Sequence, residues 1–155
     1  MSTNGKLYIM IIFLSFAFFS CNKEKIVGSQ SQTFTNNDWN WSEKDIYFHL
    51  NIDENKDPYK VVFDIHHDKG IDFSQLSFVM IITAPDGAET AKNIIPQYDK
   101  ILDETGTIST VVAYPEKYFN QKGEYTFWIY RRYEKYNFFG ISSVELKILT
   151  IPKTE

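Results

Sequence analysis

The sequence holds one cysteine, three histidines and no excess of positive charge, and each shortage removes a class of function. One cysteine forms neither an internal disulfide nor a four-cysteine metal site, so a disulfide scaffold and a zinc ribbon are excluded. Lys and Arg number 16 against 20 Asp and Glu, a formal net charge of −4. That balance cannot neutralise a phosphate backbone, so no nucleic-acid partner is expected. The longest apolar stretch, Leu7 to Phe19, is nearly unbroken but has only 13 residues. As a helix it would be about 20 Å long, short of a bilayer core of about 30 Å, so it is not a comfortable permanent span. No segment keeps a 3.6-residue hydrophobic period over three turns, and no internal repeat is present. A nucleophile elbow, a phosphate loop and an HExxH helix are all missing, and no nucleophile is paired with a base. Neither enzymatic activity nor a cofactor is therefore expected. What is abundant is aromatic: 17% of the chain is Phe, Tyr or Trp, within 43% hydrophobic and 23% charged residues. A chain of 155 residues with this composition builds one folded domain with a real core.

The first residues have their own logic. Lys6 precedes the Leu7–Phe19 run, and Ser20 and Cys21 follow it directly. A charged start, a short apolar run and a small residue before a processing point describe a secretory signal. With cysteine next, the segment resembles a bacterial lipoprotein signal, in which residues 1–20 are removed and Cys21 is acylated as the new first residue. Phe18 and Phe19 replace the leucine and small residue usual in that pattern, and the alternative is an incidental cysteine behind an ordinary signal. Lys6 is the only charged residue in 1–20, so its removal moves the balance from −4 to −5. Acyl chains are worth about 0.8 kcal/mol per buried CH₂, and several of them hold a protein firmly on a membrane. Asn22 rather than aspartate after the cysteine favours the outer membrane of the cell envelope and leaves its face open. Residues 21–33 read as a lipidated tether, polar and without period, leaving 34–155 as the domain.

The body of the chain reads as strands. Ile46, Phe48, Leu50 and Ile52 alternate with Tyr47, His49 and Asn51, the pattern of a half-buried strand. Tyr59 to His66 alternates again after the turn-like segment Asp53 to Pro58. Leu76 to Ala84 is almost wholly apolar and reads as a central strand covered on both faces. Pro85-Asp86-Gly87 is a turn, residues 88–105 give no clear pattern, and Thr107 to Tyr114 is a β-branched strand expected to stop at Pro115. A helical turn is expected within 115–123. Glu124 to Tyr133 alternates with Tyr125, Phe127 and Ile129 on one face, and Ile141 to Ile151 with Val144, Leu146 and Ile148. Seven or eight strands with turns between them predict an all-β antiparallel β-sandwich, immunoglobulin-like or jelly-roll.

Three constellations carry candidate chemistry. Asp53-x-Asn55-x-Asp57 begins like a calcium loop, but Pro58 stands where such a loop needs glycine, and a hairpin turn is the better reading. Asp64, His66 and Asp68, with His67 beside them, share the spacing of one strand face, which fits a metal site or equally a solvated polar face. Trp128, Tyr130, Arg131, Arg132 and Tyr133 interleave rings with cations near a strand end. On an exported acidic protein that pattern suits a protein partner or a glycan, or else rings that cover their own sheet. Trp39 and Trp41 are placed to staple the tether onto the domain.

Gly123-x-Tyr125-x-Phe127-x-Ile129 followed by Phe138-x-Gly140-Ile141-x-x-Val144-x-Leu146-x-Ile148 resembles the gliding-motility lipoprotein GldH family of Bacteroidetes. Ile65-x-His67, Phe73, Leu76 and Phe78 ahead of Pro85-Asp86-Gly87 resemble the middle of the same family. The likeness spans about residues 60–150, with 88–120 poorly matched. It implies a lipid-anchored envelope component of the gliding apparatus that acts with other motility and secretion proteins. The alternative is a surface carbohydrate- or peptide-binding module that uses the rings around Tyr130.

Overall fold

The computed structural model describes residues 23–40, 42, 45–53, 57–71, 76–95, 107–132 and 137–152. In chain order the strands are β1 (Ile26–Thr33), β2 (Asp38–Trp39), β3 (Asp45–Ile52), β4 (Tyr59–His67), β5 (Phe78–Thr83), β6 (Glu89–Ile94), β7 (Ile108–Lys117), β8 (Gly123–Arg131), β9 (Phe138–Phe139) and β10 (Ile141–Thr150). One four-stranded sheet has the order β1-β10-β4-β7, the other β3-β8-β5-β6, and β2 pairs with β9 as a small ribbon. Every pairing is antiparallel. The two sheets form the expected all-β sandwich.

Period-two alternation builds the core. Ile46, Phe48, Leu50 and Ile52 of β3, Tyr125, Phe127 and Ile129 of β8, and Val144, Leu146 and Ile148 of β10 are all buried, as their spacing predicts. Each such side chain contributes about 1.5–3 kcal/mol by leaving water. β5 lies between β8 and β6, and its outward Val79 is also buried, which accounts for its nearly unbroken apolar sequence.

Four segments differ from the sequence expectation. Residues 26–33 are not tether but edge strand β1, hydrogen-bonded to β10 from Ile26↔Leu149 to Thr33↔Ser143. Its side chains are almost all exposed, so it is recruited mainly by backbone pairing and no hydrophobic period marks it. The strands on either side of Asp53 to Pro58, of which 54–56 lie outside the described residues, are not a hairpin pair, because β3 and β4 belong to different sheets. β7 continues past Pro115 to Lys117, since β7 is an edge strand with a register shift there, where Tyr59 pairs Lys117 and Val61 pairs Tyr114. A proline is tolerated at an edge and in a bulge. Beyond it, residues 118–122 are an irregular connection rather than a helical turn. The unclear stretch after the Pro85 turn contains β6, an exposed edge strand with little to pattern.

Side chains latch both open edges of the sandwich. The His49 backbone N–H on β3 donates to Gln30 Oε1 on β1 (2.7 Å), and Lys92 Nζ on β6 donates to the Ala113 carbonyl on β7 (2.6 Å). At one pole Phe119 fills the end of the core, edge-on to Tyr125 at 4.9 Å. The Tyr125 hydroxyl donates back to the Gln121 carbonyl at 3.0 Å, the bond of a tyrosine corner.

Candidate interaction surface

Adjacent strands β3 and β8 set Tyr47 directly opposite Trp128. The two rings stack with centroids 5.8 Å apart and planes at 10°. Tyr130, two residues along β8, tilts against Trp128 at 5.0 Å. All three alternate away from the core, and Tyr47 is 51% exposed. Trp128 Nε1 donates to Asp45 Oδ1 at 3.1 Å, which fixes the indole. Val79 and Ile81 of β5 face Tyr130 and Trp128 in register and extend the apolar floor. Beyond Tyr47 lie His49, hydrogen-bonded to Thr126 (3.2 Å), and Glu124, 3.7 Å from the same imidazole. The outer face of this sheet is therefore an aromatic strip with a polar margin, the composition of a protein-contact patch.

The structure divides the cluster read from Trp128 to Tyr133. Trp128 and Tyr130 face outward, but Arg131 turns inward and is only 2% exposed. Its guanidinium lies 5.5 Å from the Trp39 ring and 5.3 Å from the Phe138 ring, holding the β2–β9 ribbon to the sandwich. Contacts of this kind are worth about 0.5–2 kcal/mol. Burial pulls the Arg131 guanidinium below its ordinary pKa, and the Asp38 carboxylate pushes it back up. Arg132 is exposed and its N–H donates to the Ser77 carbonyl (3.2 Å). Tyr133 lies outside the described residues, as do Cys21 and Trp41. Trp39 is a core residue stacked on Phe34 at 5.1 Å, at the far end of β1. Tyr47 is the member that sequence reasoning missed; its outward position was legible, but its partner across the sheet was not.

The polar face of the other sheet is a network of ion pairs. Asp64 accepts from Lys147 Nζ (2.5 Å) and from Thr110 Oγ1 (2.6 Å), and Lys147 also reaches Glu145 (3.2 Å). Burial opposes charging of Lys147, but the bonds to Asp64 and Glu145 prevail and hold its ammonium above the ordinary lysine pKa. His66 lies on this face, 4.0 Å from Glu145, whereas His67 is buried with Nδ1 on the Asp68 carbonyl and Nε2 on Ser109 Oγ. Asp64, His66, His67 and Asp68 are thus split between two faces and a turn, and no group of three ligands that could hold a metal occurs among the described residues. A cavity of about 180 Å³ between the Pro85 turn and residues 117–121 is crossed by the Gln121–Asp86 bond (2.6 Å). It is smaller than a typical small-molecule site.

A family model described as GldH lipoprotein matches residues 26–148. The chain belongs to the GldH lipoprotein family. The match begins at the first residue of β1 and ends near the end of β10, so the family unit is the whole sandwich, including the 88–120 segment. Comparison with curated proteins returns no match. Membership of the GldH family associates the chain with the cell envelope, and no helix among the described residues is long and apolar enough to cross a membrane. The aromatic strip lies on strands β3 and β8, both within the GldH match.

Proposed function

We propose that this GldH-family lipoprotein is a structural component of the gliding-motility apparatus. It is processed after residue 20, acylated on Cys21 and held on the outer membrane. There it binds another envelope protein of the motility or secretion machinery through the outer face of β3 and β8. The family match over residues 26–148 is the observation that carries the reading. The strip of Tyr47, Trp128 and Tyr130 supports the choice of face, because aromatic side chains on a sheet face bury large area at low entropic cost. Exposed Arg132 extends that surface beyond the strand end. No chemical step is assigned to the chain; its work is to hold and to be held.

The test is complementation. A strain lacking the protein should lose spreading on a surface and regain it from the native gene. Cys21→Ser should leave the protein unacylated and out of the membrane fraction, and Trp128→Ala should stay lipidated and folded but lose its envelope partner. Membrane retention and acylation of Cys21→Ser would refute the anchor. Intact spreading with loss of glycan binding in Trp128→Ala would make the protein a carbohydrate-binding module instead.

A further inference from the structure

The chain leaves almost no slack between the anchor and the fold. Glu24 is already held by Lys60 Nζ at 2.9 Å. Lys25 is bonded at both backbone groups, its N–H to Thr150 Oγ1 and its carbonyl from the Thr150 N–H, each at 2.9 Å. From Ile26 onward the backbone is paired in β1. Only Asn22 and Lys23 separate Cys21 from the docked Glu24. Three residue steps reach at most about 11 Å.

The pole of the sandwich at that point is identified by register. The start of β1 lies beside the end of β10, Thr150 pairs Tyr59 at the start of β4, and Tyr59 pairs Lys117 at the end of β7. This pole carries exposed apolar side chains: Ile26 (58%), Val27 (46%) and Tyr118 (52%). Several of its carboxylates are engaged inside the protein: Glu24 by Lys60, Asp53 by Lys122 at 2.9 Å, and Asp86 by Gln121 and the Ala88 N–H. At this pole Lys23, Lys25, Lys60, Lys117 and Lys122 are balanced by Glu24, Asp53, Asp57, Asp86 and Glu116, so charge attraction is not what would bring this surface to a membrane.

We propose that residues 23–27, 57–60 and 117–122 form a membrane-resting surface, and that the two-residue spacer holds the sandwich upright on the bilayer to which Cys21 is acylated. This rests on the acylation read above. The occupant is the lipid interface itself, because the length of chain between Cys21 and Glu24 brings no other surface of the domain within reach. Short linkers give effective concentrations of about millimolar, so a weak apolar contact by Ile26, Val27 and Tyr118 is enough to fix the orientation. β10 runs from this pole to the other over ten residues, about 33 Å, which carries the β2–β9 ribbon and its exposed Phe139 (70%) away from the membrane. The aromatic strip on β3 and β8 then stands on the side of the domain, open to a partner on the same membrane.

The experiment exploits the single cysteine, which acylation occupies. Val27→Cys, Tyr118→Cys and Phe139→Cys each introduce a unique free thiol for a small fluorophore on the mature lipidated protein. In phosphatidylcholine vesicles with brominated acyl chains, labels at 27 and 118 should lose most of their fluorescence and a label at 139 should lose none. A ten-residue Gly-Ser insertion after Asn22 should restore the fluorescence at 118. Three unquenched labels on protein whose mass shows an acylated Cys21 would overturn the resting surface and leave the anchor standing. An unmodified Cys21 on protein that fails to float with the vesicles would overturn both. Quenching at 118 that survives the insertion would overturn the role given to the short spacer.

Discussion

Phe119→Ala should destabilise the domain by about 3–5 kcal/mol, although the residue lies in an irregular connection. The ring is fully buried and packs on Tyr59 at 5.9 Å, Tyr125 at 4.9 Å and Phe127 at 6.2 Å. A Phe side chain removes roughly 150 Å² from water, about 4 kcal/mol at about 25 cal/mol per Å². The edge-on contacts with Tyr125 and Phe127 add to this, and partial collapse of the neighbours subtracts from it. Urea unfolding followed by tryptophan fluorescence reads the change. With a slope of about 2 kcal/mol per molar urea, the midpoint should fall by about 2 M at unchanged slope. The adjacent exposed Tyr118→Ala serves as control and should stay within about 0.5 kcal/mol. A loss under about 1 kcal/mol for Phe119→Ala would refute the claim that this ring closes the core.

On the outer face, a double-mutant cycle of Tyr47→Ala and Trp128→Ala should show a coupling of about 0.5–1.5 kcal/mol by thermal or urea unfolding; additive effects would deny the stack. Gly140→Ala places a Cβ 2.9 Å from Ile71 Cδ1 at φ +86°, whereas Gly70→Ala at φ +83° meets open space. Both should lower the melting temperature through backbone strain, and Gly140→Ala should lower it further by the clash. Asp64→Asn should cost about 1–2 kcal/mol at neutral pH by weakening the Lys147 bond. Because Lys147 has a raised pKa in the fold, that advantage is complete below the ordinary lysine value and disappears as pH rises through the raised one; a difference that grows in alkali would contradict the sign. Lys92→Ala uncovers the edge of β7 and should increase self-association in light scattering.

Much of the fold was legible because one face of each long strand is wet and the other is not. Strand β3 occupies the span its alternation predicts, and the inward residues of β8 and β10 are those expected. β1 was not legible for the converse reason: with both faces exposed it has no pattern to read. Arg131 is instructive: in the sequence it reads as part of an interaction surface, yet it continues the inward series Tyr125, Phe127, Ile129 and is buried. Its charge argued for the surface, and two aromatic rings with Asp38 nearby override that preference.

By itself the sequence determined the alternating strands β3, β4, β8 and β10, the sidedness of each and the all-β class, because alternation is a local property of the backbone. It also carried the family motifs, which lie mostly in core and turn positions. Tertiary structure alone decided which strand meets which. That is a matter of long-range register, which brings Tyr47 opposite Trp128 and divides β3 from β4 between two sheets. It also decided that the chain from Glu24 onward is docked rather than slack, since a polar segment becomes a strand when a free edge such as that of β10 stands beside it.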